Sequence, residues 1–295
     1  MAEPLPALEA CRPGPATRRS ARRMSLATLM YHDVVSPGRW DDSGFAGSAA
    51  AHYKLDTANF LAHLDALRAA GTAFANPDTV AGGRYDGCLL TYDDGGASAS
   101  AAGAAMIERG IRGCFFITTS RIGSPGFVSA DELRALRQGG HLIGSHSHTH
   151  PANITQLDAP ALHDEWRRSV DTLEQVLGEP VRTASVPGGF MSANVLRAAE
   201  AAGIRTLFTS EPTMRPWHSG TCAVLGRYAL LREHAPAYAL ALASGQGGAR
   251  LKQWAAWNVK KPLKRFAGPV YRFARERLLH ERVPSHRDSA GASPE

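Results

Sequence analysis

Between residues 26 and 209 the chain alternates short β-like runs with helical patterns, and this alternation restricts the fold more than any other feature. The β-like runs cover 26–31, 88–92, 114–118, 141–144, 183–186 and 205–209. Helical patterns fill the intervals. Residues 56–70 set Phe60, Leu64 and Leu67 on one face, and residues 97–109 are rich in alanine. Residues 129–138 open with Ser129 followed three positions on by Glu132, the signature of a capping box. Residues 159–177 carry Leu162, Trp166, Val170 and Leu173 at helical spacing, and 192–202 close the series. Repeated β-α units imply a parallel sheet with helical crossovers. Six or seven units in about 220 residues predict a closed, barrel-like α/β arrangement, with functional groups at the C-terminal ends of the strands.

Composition narrows the class. With 44% hydrophobic and 20% charged residues and a mean hydropathy of −0.22, collagen-like, coiled-coil and wholly disordered chains are excluded. The apolar runs fall far short of the roughly 18–20 residues that a membrane-spanning helix needs. The net charge of +6 is uneven. Residues 1–23 carry +3 and 250–282 carry +8, which leaves 24–249 at −4. The basicity belongs to the ends, so no nucleic-acid partner is expected for the body.

Residues 1–23 and 283–295 read as disordered tails, 24–249 as the folded domain, and 250–282 as a basic, aromatic helical extension. Such an extension suits a peripheral membrane contact or a docked partner, while a solvated helix packed on the barrel explains it equally well. The N-terminus holds no apolar stretch of the secretory type, so a reduced, cytoplasmic location is expected, with a peripheral position at the inner membrane face as its extension. The four cysteines are too scattered for a disulfide framework or a zinc knuckle, and Cys88 and Cys114 read as buried free thiols.

Two segments carry chemistry. Asp93 and Asp94 stand in Tyr-Asp-Asp-Gly-Gly at the end of a strand run, where one carboxylate can bind a metal while its neighbour stays free to accept a proton. Turn and cap chemistry is the competing reading. His146, His148 and His150 follow another strand run in Ser-His-Ser-His-Thr-His-Pro. In an extended strand His146 and His150 would lie about 13 Å apart, but a helical turn brings residues four apart to roughly 5–6 Å at Cβ. That turn would suit two imidazoles on one cation, with His148 pointing elsewhere. Asp94, His146 and His150 then make a two-histidine, one-carboxylate set with positions left open for water and substrate.

Tyr-Asp-Asp-Gly followed by His-Ser-x-x-His-Pro resembles the two leading motifs of the polysaccharide deacetylases, the NodB-homology or carbohydrate esterase 4 family. The resemblance covers about residues 26–230. It implies a deformed (β/α) barrel of about seven parallel strands and hydrolysis of N-acetyl groups on amino sugars of a polysaccharide or glycan precursor. It assigns Asp93 as base and Asp94, His146 and His150 as ligands of a divalent metal, usually Zn2+, with Co2+, Ni2+ or Mn2+ as substitutes. Two features depart from the family. Where an Arg usually stands before Pro, this chain has Ala-Ser-Val-Pro, so support for the base is absent or comes from elsewhere. The C-terminal motif ending in a catalytic His is also missing, since 224–228 read Val-Leu-Gly-Arg-Tyr.

His32, in Met-Tyr-His-Asp-Val at the end of the first strand run, is similar to the early histidine of deacetylases with permuted motifs, such as the biofilm poly-N-acetylglucosamine enzymes. It is expected as general acid with Asp33 orienting it, and His218 and His234 are the substitutes. Tyr31, Tyr92, Pro187, Gly188 and Gly189 are expected at the substrate, the glycines because their backbone amides can approach a developing oxyanion. Two other functions stay open: a catalytically weak glycan-binding barrel, and a small-molecule amidohydrolase on the same fold.

Overall fold

The computed structural model describes residues 25–266, with side chains through Val259. The tails expected at 1–23 and 283–295, and residues 267–282 of the basic extension, lie outside the described residues. The strands are β1 (Ser25–Tyr31), β2 (Val34–Val35), β3 (Leu55–Asp56), β4 (Asp86–Tyr92), β5 (Gly113–Ile117), β6 (Leu142–Ser145), β7 (Thr183–Ser185), β8 (Thr206–Phe208), β9 (Trp217–Ser219), β10 (Cys222–Leu225) and β11 (Tyr228–Ala229). The helices are α1 (Ser48–Ala51), α2 (Thr57–Ala69), α3 (Pro77–Ala81), α4 (Ser98–Ile107), α5 (Ala130–Gln138), α6 (Ala159–Leu177), α7 (Ala193–Ala201), α8 (Pro236–Ser244) and α9 (Ala249–Phe266).

All six β-like runs are strands, displaced by at most two residues, and the five helical patterns are helices. Local chemistry explains their bounds. Asp56 accepts a hydrogen bond from the Asn59 amide to start α2, and Asp158 does the same for Ala161 at α6. The capping box of α5 is present in both directions between Ser129 and Glu132. Gly178, at φ 72°, ends α6 in the left-handed conformation that glycine adopts without strain.

One sheet holds the strands in the order β11-β1-β4-β5-β6-β7-β8-β10-β9, and every pairing but β10–β9 is parallel. β10 and β11 stand far apart in that order, yet only Gly226 and Arg227 separate them. They are two halves of one strand that changes partner. Leu225 pairs with Phe208 of β8, and three residues later Tyr228 is level with Leu29 of β1. Three peptide units span at most about 11 Å, so the two edges of the sheet must curl to within that distance. The result is a deformed barrel of seven parallel strands, closed by an interrupted seventh. Gly226 sits in the interruption because a Cβ there would strike the Glu211 carbonyl and Thr213.

Alternation along the strands divides the core. Outward residues Leu29, Tyr31, Leu90, Tyr92, Phe115 and Ile117 pack beneath the helices. Inward residues Leu89, Cys114, Phe116, Phe208 and Leu225 belong to a second cluster. The expected free thiols Cys88 and Cys114 are buried, and burial pushes the Cys88 thiol up to about 12. Among the described residues no helix is long and apolar enough to cross a membrane.

Candidate active site

The inward register of β4 continues from Thr91 to Asp93, just past the strand's C-terminal end. Asp93 is 5% exposed, and the fully buried guanidinium of Arg227 grips it through two bonds: Nη1 to Oδ1 at 2.6 Å and Nη2 to Oδ2 at 2.7 Å. Arg227 reaches this position from the break in the seventh strand, where its Nε donates to the Thr209 carbonyl. Ser185, from the end of β7, donates to Asp93 Oδ1 at 3.2 Å and lies 2.6 Å from His146 Nδ1. Burial alone would raise the Asp93 pKa; the Arg227 guanidinium, His146 and His32 together outweigh it, and the carboxyl stays below its usual range. Ser185 thus stands beside the Asp93 carboxylate, and Arg227 holds that carboxylate from the opposite edge of the barrel. Sequence reading missed Arg227 because the partner lies 134 residues from Asp93, with no motif of its own.

Asp94, His146 and His150 come together. Asp94 Oδ1 lies 3.4 Å from His146 Nε2 and 3.5 Å from His150 Nε2, and one donor atom from each residue falls within 4.8 Å of the others. Donors about 3.4 Å apart span the edge of a tetrahedron whose bonds are about 2.1 Å, the length of zinc–nitrogen and zinc–oxygen bonds. The rest of the chemistry fits a cation as well. The Ser185 carbonyl lies 3.1 Å from His146 Nδ1; accepting that proton would leave the Nε2 lone pair toward Asp94. Burial would raise the Asp94 pKa, but the facing His146, His32 and His150 hold it well below the carboxylate range. Burial, aided by His146, lowers the pKa of His150 and keeps it a neutral donor.

The expected helical turn at 146–150 is not how the two histidines meet. Ser147 and His150 adopt φ 65° and 57°, and the imidazole centroids end 5.0 Å apart. The His150 amide donates to Ser147 Oγ. Asp94 also has positive φ, 75°, and these three are the only non-glycine residues with positive φ among the described residues. Each costs on the order of 1–3 kcal/mol, and such strain collects where the surroundings impose it for function. Here α6 imposes it. Ser169 Oγ bonds Ser145 Oγ and the Ser147 carbonyl, and the Glu165 carboxylate accepts from the amide and hydroxyl of Thr149. His148 turns away to Thr119 Oγ1, as expected.

His32 stands at the end of β1, its ring 4.8 Å from that of Tyr53 and close enough to Asp93 and Asp94 to help keep both ionised. Its buried Nδ1 has no hydrogen-bond partner among the described residues. Asp33 does not orient it. The Asp33 carboxylate accepts from Ser43 Oγ at 2.6 Å and Ser98 Oγ at 2.9 Å, so closely packed that Gly44 and Gly96 have no room for a Cβ. Beside it, the Lys54 ammonium donates to the carbonyls of Trp40, Ser43 and Phe45. This cage holds the loop that seats the Phe45 ring 4.8 Å from that of His150. Lys54→Met is expected to cost about 3–5 kcal/mol, because it strands a buried carboxylate and three carbonyls. Urea unfolding would measure it, and a loss within 1 kcal/mol would dismiss the cage.

The structure corrects the expected substrate contacts. Tyr31 and Tyr92 are 0% and 2% exposed and face the helices, with their rings stacked 5.3 Å apart. The reason is the strand period: His32 and Asp93 point into the barrel, so their neighbours point out. Pro187 is buried in a 3₁₀ turn that follows β7. The Gly189 amide is engaged by the Val186 carbonyl, which leaves the Gly188 amide as the one in this turn with no such bond. His218 is exposed on the edge strand β9, and His234 packs on Tyr238 and bonds the Leu231 amide. Neither touches the carboxylates.

The comparisons agree with this geometry. The polysaccharide deacetylase family model matches residues 84–207, which include Asp93, Asp94, His146, His150 and Ser185. Among solved structures, the Streptococcus pyogenes deacetylase PplD in complex with acetate is similar at 17% identity and a TM-score of 0.61, over 74% of this chain and 98% of that one. IcaB from Ammonifex degensii matches at 21% identity and 0.59, over 70% and 91%. A de-N-acetylase from Aggregatibacter actinomycetemcomitans matches at 16% and 0.60, over 72% and 97%. At these identities the structures speak to the fold alone, and it is the same curled barrel. Residues 84–207 thus match the polysaccharide deacetylase family model, and the fold around them is the one these solved structures share.

Proposed function

We propose that the protein is a metal-dependent deacetylase that hydrolyses N-acetyl groups of amino sugars in a polysaccharide or glycan precursor. The observation that carries the reading is the pairing of two sites across one peptide bond. Asp94 joins two imidazoles at cation spacing, while Asp93 stays outside that set, ionised by Arg227. A divalent cation on Asp94, His146 and His150, Zn2+ first, would polarise the acetyl carbonyl and acidify water. Asp93 accepts the proton of the attacking water, and Arg227 and Ser185 fix which carboxylate oxygen faces it. His32, on the same rim, protonates the leaving amine. The exposed Gly188 amide is the donor for the oxygen that gains charge. Among fold relatives, one is described as a de-N-acetylase and another holds acetate, which supports an acetamide substrate.

Purified protein supplied with Zn2+ or Co2+ should release acetate from N-acetylglucosamine oligomers. Binding of such oligomers without any acetate release, with every divalent metal tried, would transfer the reading to a glycan-binding barrel. His32→Ala should lower kcat by roughly 10²–10⁴-fold with little change in KM. A near-normal kcat would remove His32 from the acid role.

A further inference from the structure

α9 shows two faces. One is fastened to the barrel: Ala249 is buried, the Arg250 guanidinium donates to the Leu242 and Ala243 carbonyls, and Gln253 bonds both backbone groups of Ala229 in β11. Trp257, a turn further, lies against Gly189 of the turn after β7, so the helix climbs toward the rim that carries the site. The other face is apolar and open. Leu251 is 66% exposed, Trp254 49% and Val259 68%, and these are three of the five large hydrophobic residues exposed in the described chain. Lys252 and Ala255 are exposed beside them. The sequence that begins here and runs to residue 282 holds ten Lys or Arg against two Glu.

We infer that α9 is an interfacial helix that seats the protein on an anionic lipid bilayer with its catalytic rim alongside the membrane. Its 18 residues contain too many charges to span a membrane, but an exposed apolar stripe with Lys252 beside it, in a sequence that continues strongly cationic, suits a helix lying in the headgroup plane. Charge selects the sign of the surface. The segment at 250–282 carries +8 while the body at 24–249 carries −4, so an anionic bilayer attracts one and repels the other, which fixes orientation as well as affinity. A second copy of the chain is a weaker occupant. Three half-exposed side chains on a convex helix cover far less than the roughly 800 Å² per partner of a stable protein interface.

The test is co-sedimentation of the full chain with vesicles of one part phosphatidylglycerol to three parts phosphatidylcholine, against pure phosphatidylcholine, at low and high salt. Binding to the anionic vesicles alone, weakened by salt and cut roughly tenfold or more by the combined Leu251→Glu, Trp254→Glu and Val259→Glu variant, is the expected result. Circular dichroism and acetate release in solution should match the unmodified protein. Absence of binding, equal binding to neutral vesicles, or a triple variant that sediments like the parent would overturn the inference. So would a dimer that the triple variant dissolves while vesicles capture nothing. Sedimentation needs no turnover, so the outcome is independent of the deacetylase reading.

Discussion

Asp93→Asn is expected to lower kcat for acetate release by roughly 10²–10⁴-fold while leaving metal content unchanged. The two carboxylates differ in what faces them. Asp94 shares Oδ1 with two imidazoles, whereas Asp93 comes no closer than 3.9 Å to His146 Nε2 and directs both oxygens to Arg227. An amide at position 93 keeps an acceptor for the guanidinium but has no basic oxygen for a proton. The variant should fold at a cost in stability, since one guanidinium N–H of the buried Arg227 loses its acceptor, and in the folded protein the metal should remain at one equivalent. Acetate release is the readout. A variant with more than a tenth of the parent kcat would remove Asp93 from the base role, and a variant that lost its metal would make residue 93 a ligand.

Arg227→Met should cost about 3–5 kcal/mol of stability, because it leaves a charged carboxylate in the barrel interior without its partner. The Asp93 carboxylate is almost wholly buried, and Ser185 and His146 cannot replace a bidentate guanidinium. Removing the charge as well should recover much of the loss. The Arg227→Met, Asp93→Asn double variant is expected to unfold at higher urea than Arg227→Met alone, by roughly 1–3 kcal/mol of coupling. Strict additivity would contradict the pairing. On the proposed reading Arg227→Met should also reduce kcat more than KM, since the guanidinium bonds Asp93, the proposed base.

Much of the architecture is legible in the sequence because most crossover units repeat the same local signals, a short strand run followed by a capped helix with a periodic face, α4 alone lacking a side-chain cap among the crossover helices α2, α4, α5, α6 and α7. Ser129 with Glu132, and Asp158 before Ala161, announce their helices by local chemistry alone. The closure of the barrel is not legible. β10 and β11 are four and two residues long, and their change of partner at Gly226–Arg227 is decided by which edges meet in space. Arg227 was hidden with them. A motif search looks beside Pro187, where this chain offers Ser185, and the arginine enters from the far end of the sheet. Tyr31 and Tyr92 could have been placed from sequence, since strand alternation puts the neighbours of an inward His32 and Asp93 on the outer face. The left-handed turn that unites His146 and His150 could not, because bonds from Ser169 and Glu165 in a later helix hold that loop.

Titration of zinc into chelator-treated protein, followed calorimetrically and checked by elemental analysis, bears most directly on the claim that Asp94, His146 and His150 hold one catalytic cation. One equivalent should bind to the parent and to Asp93→Asn, and binding should fall by two orders of magnitude or more in Asp94→Ala and in His146→Ala, with acetate release restored to the parent by the same equivalent. Protein that takes up no stoichiometric divalent ion, or takes it up equally well without Asp94 and His146, would contradict the account.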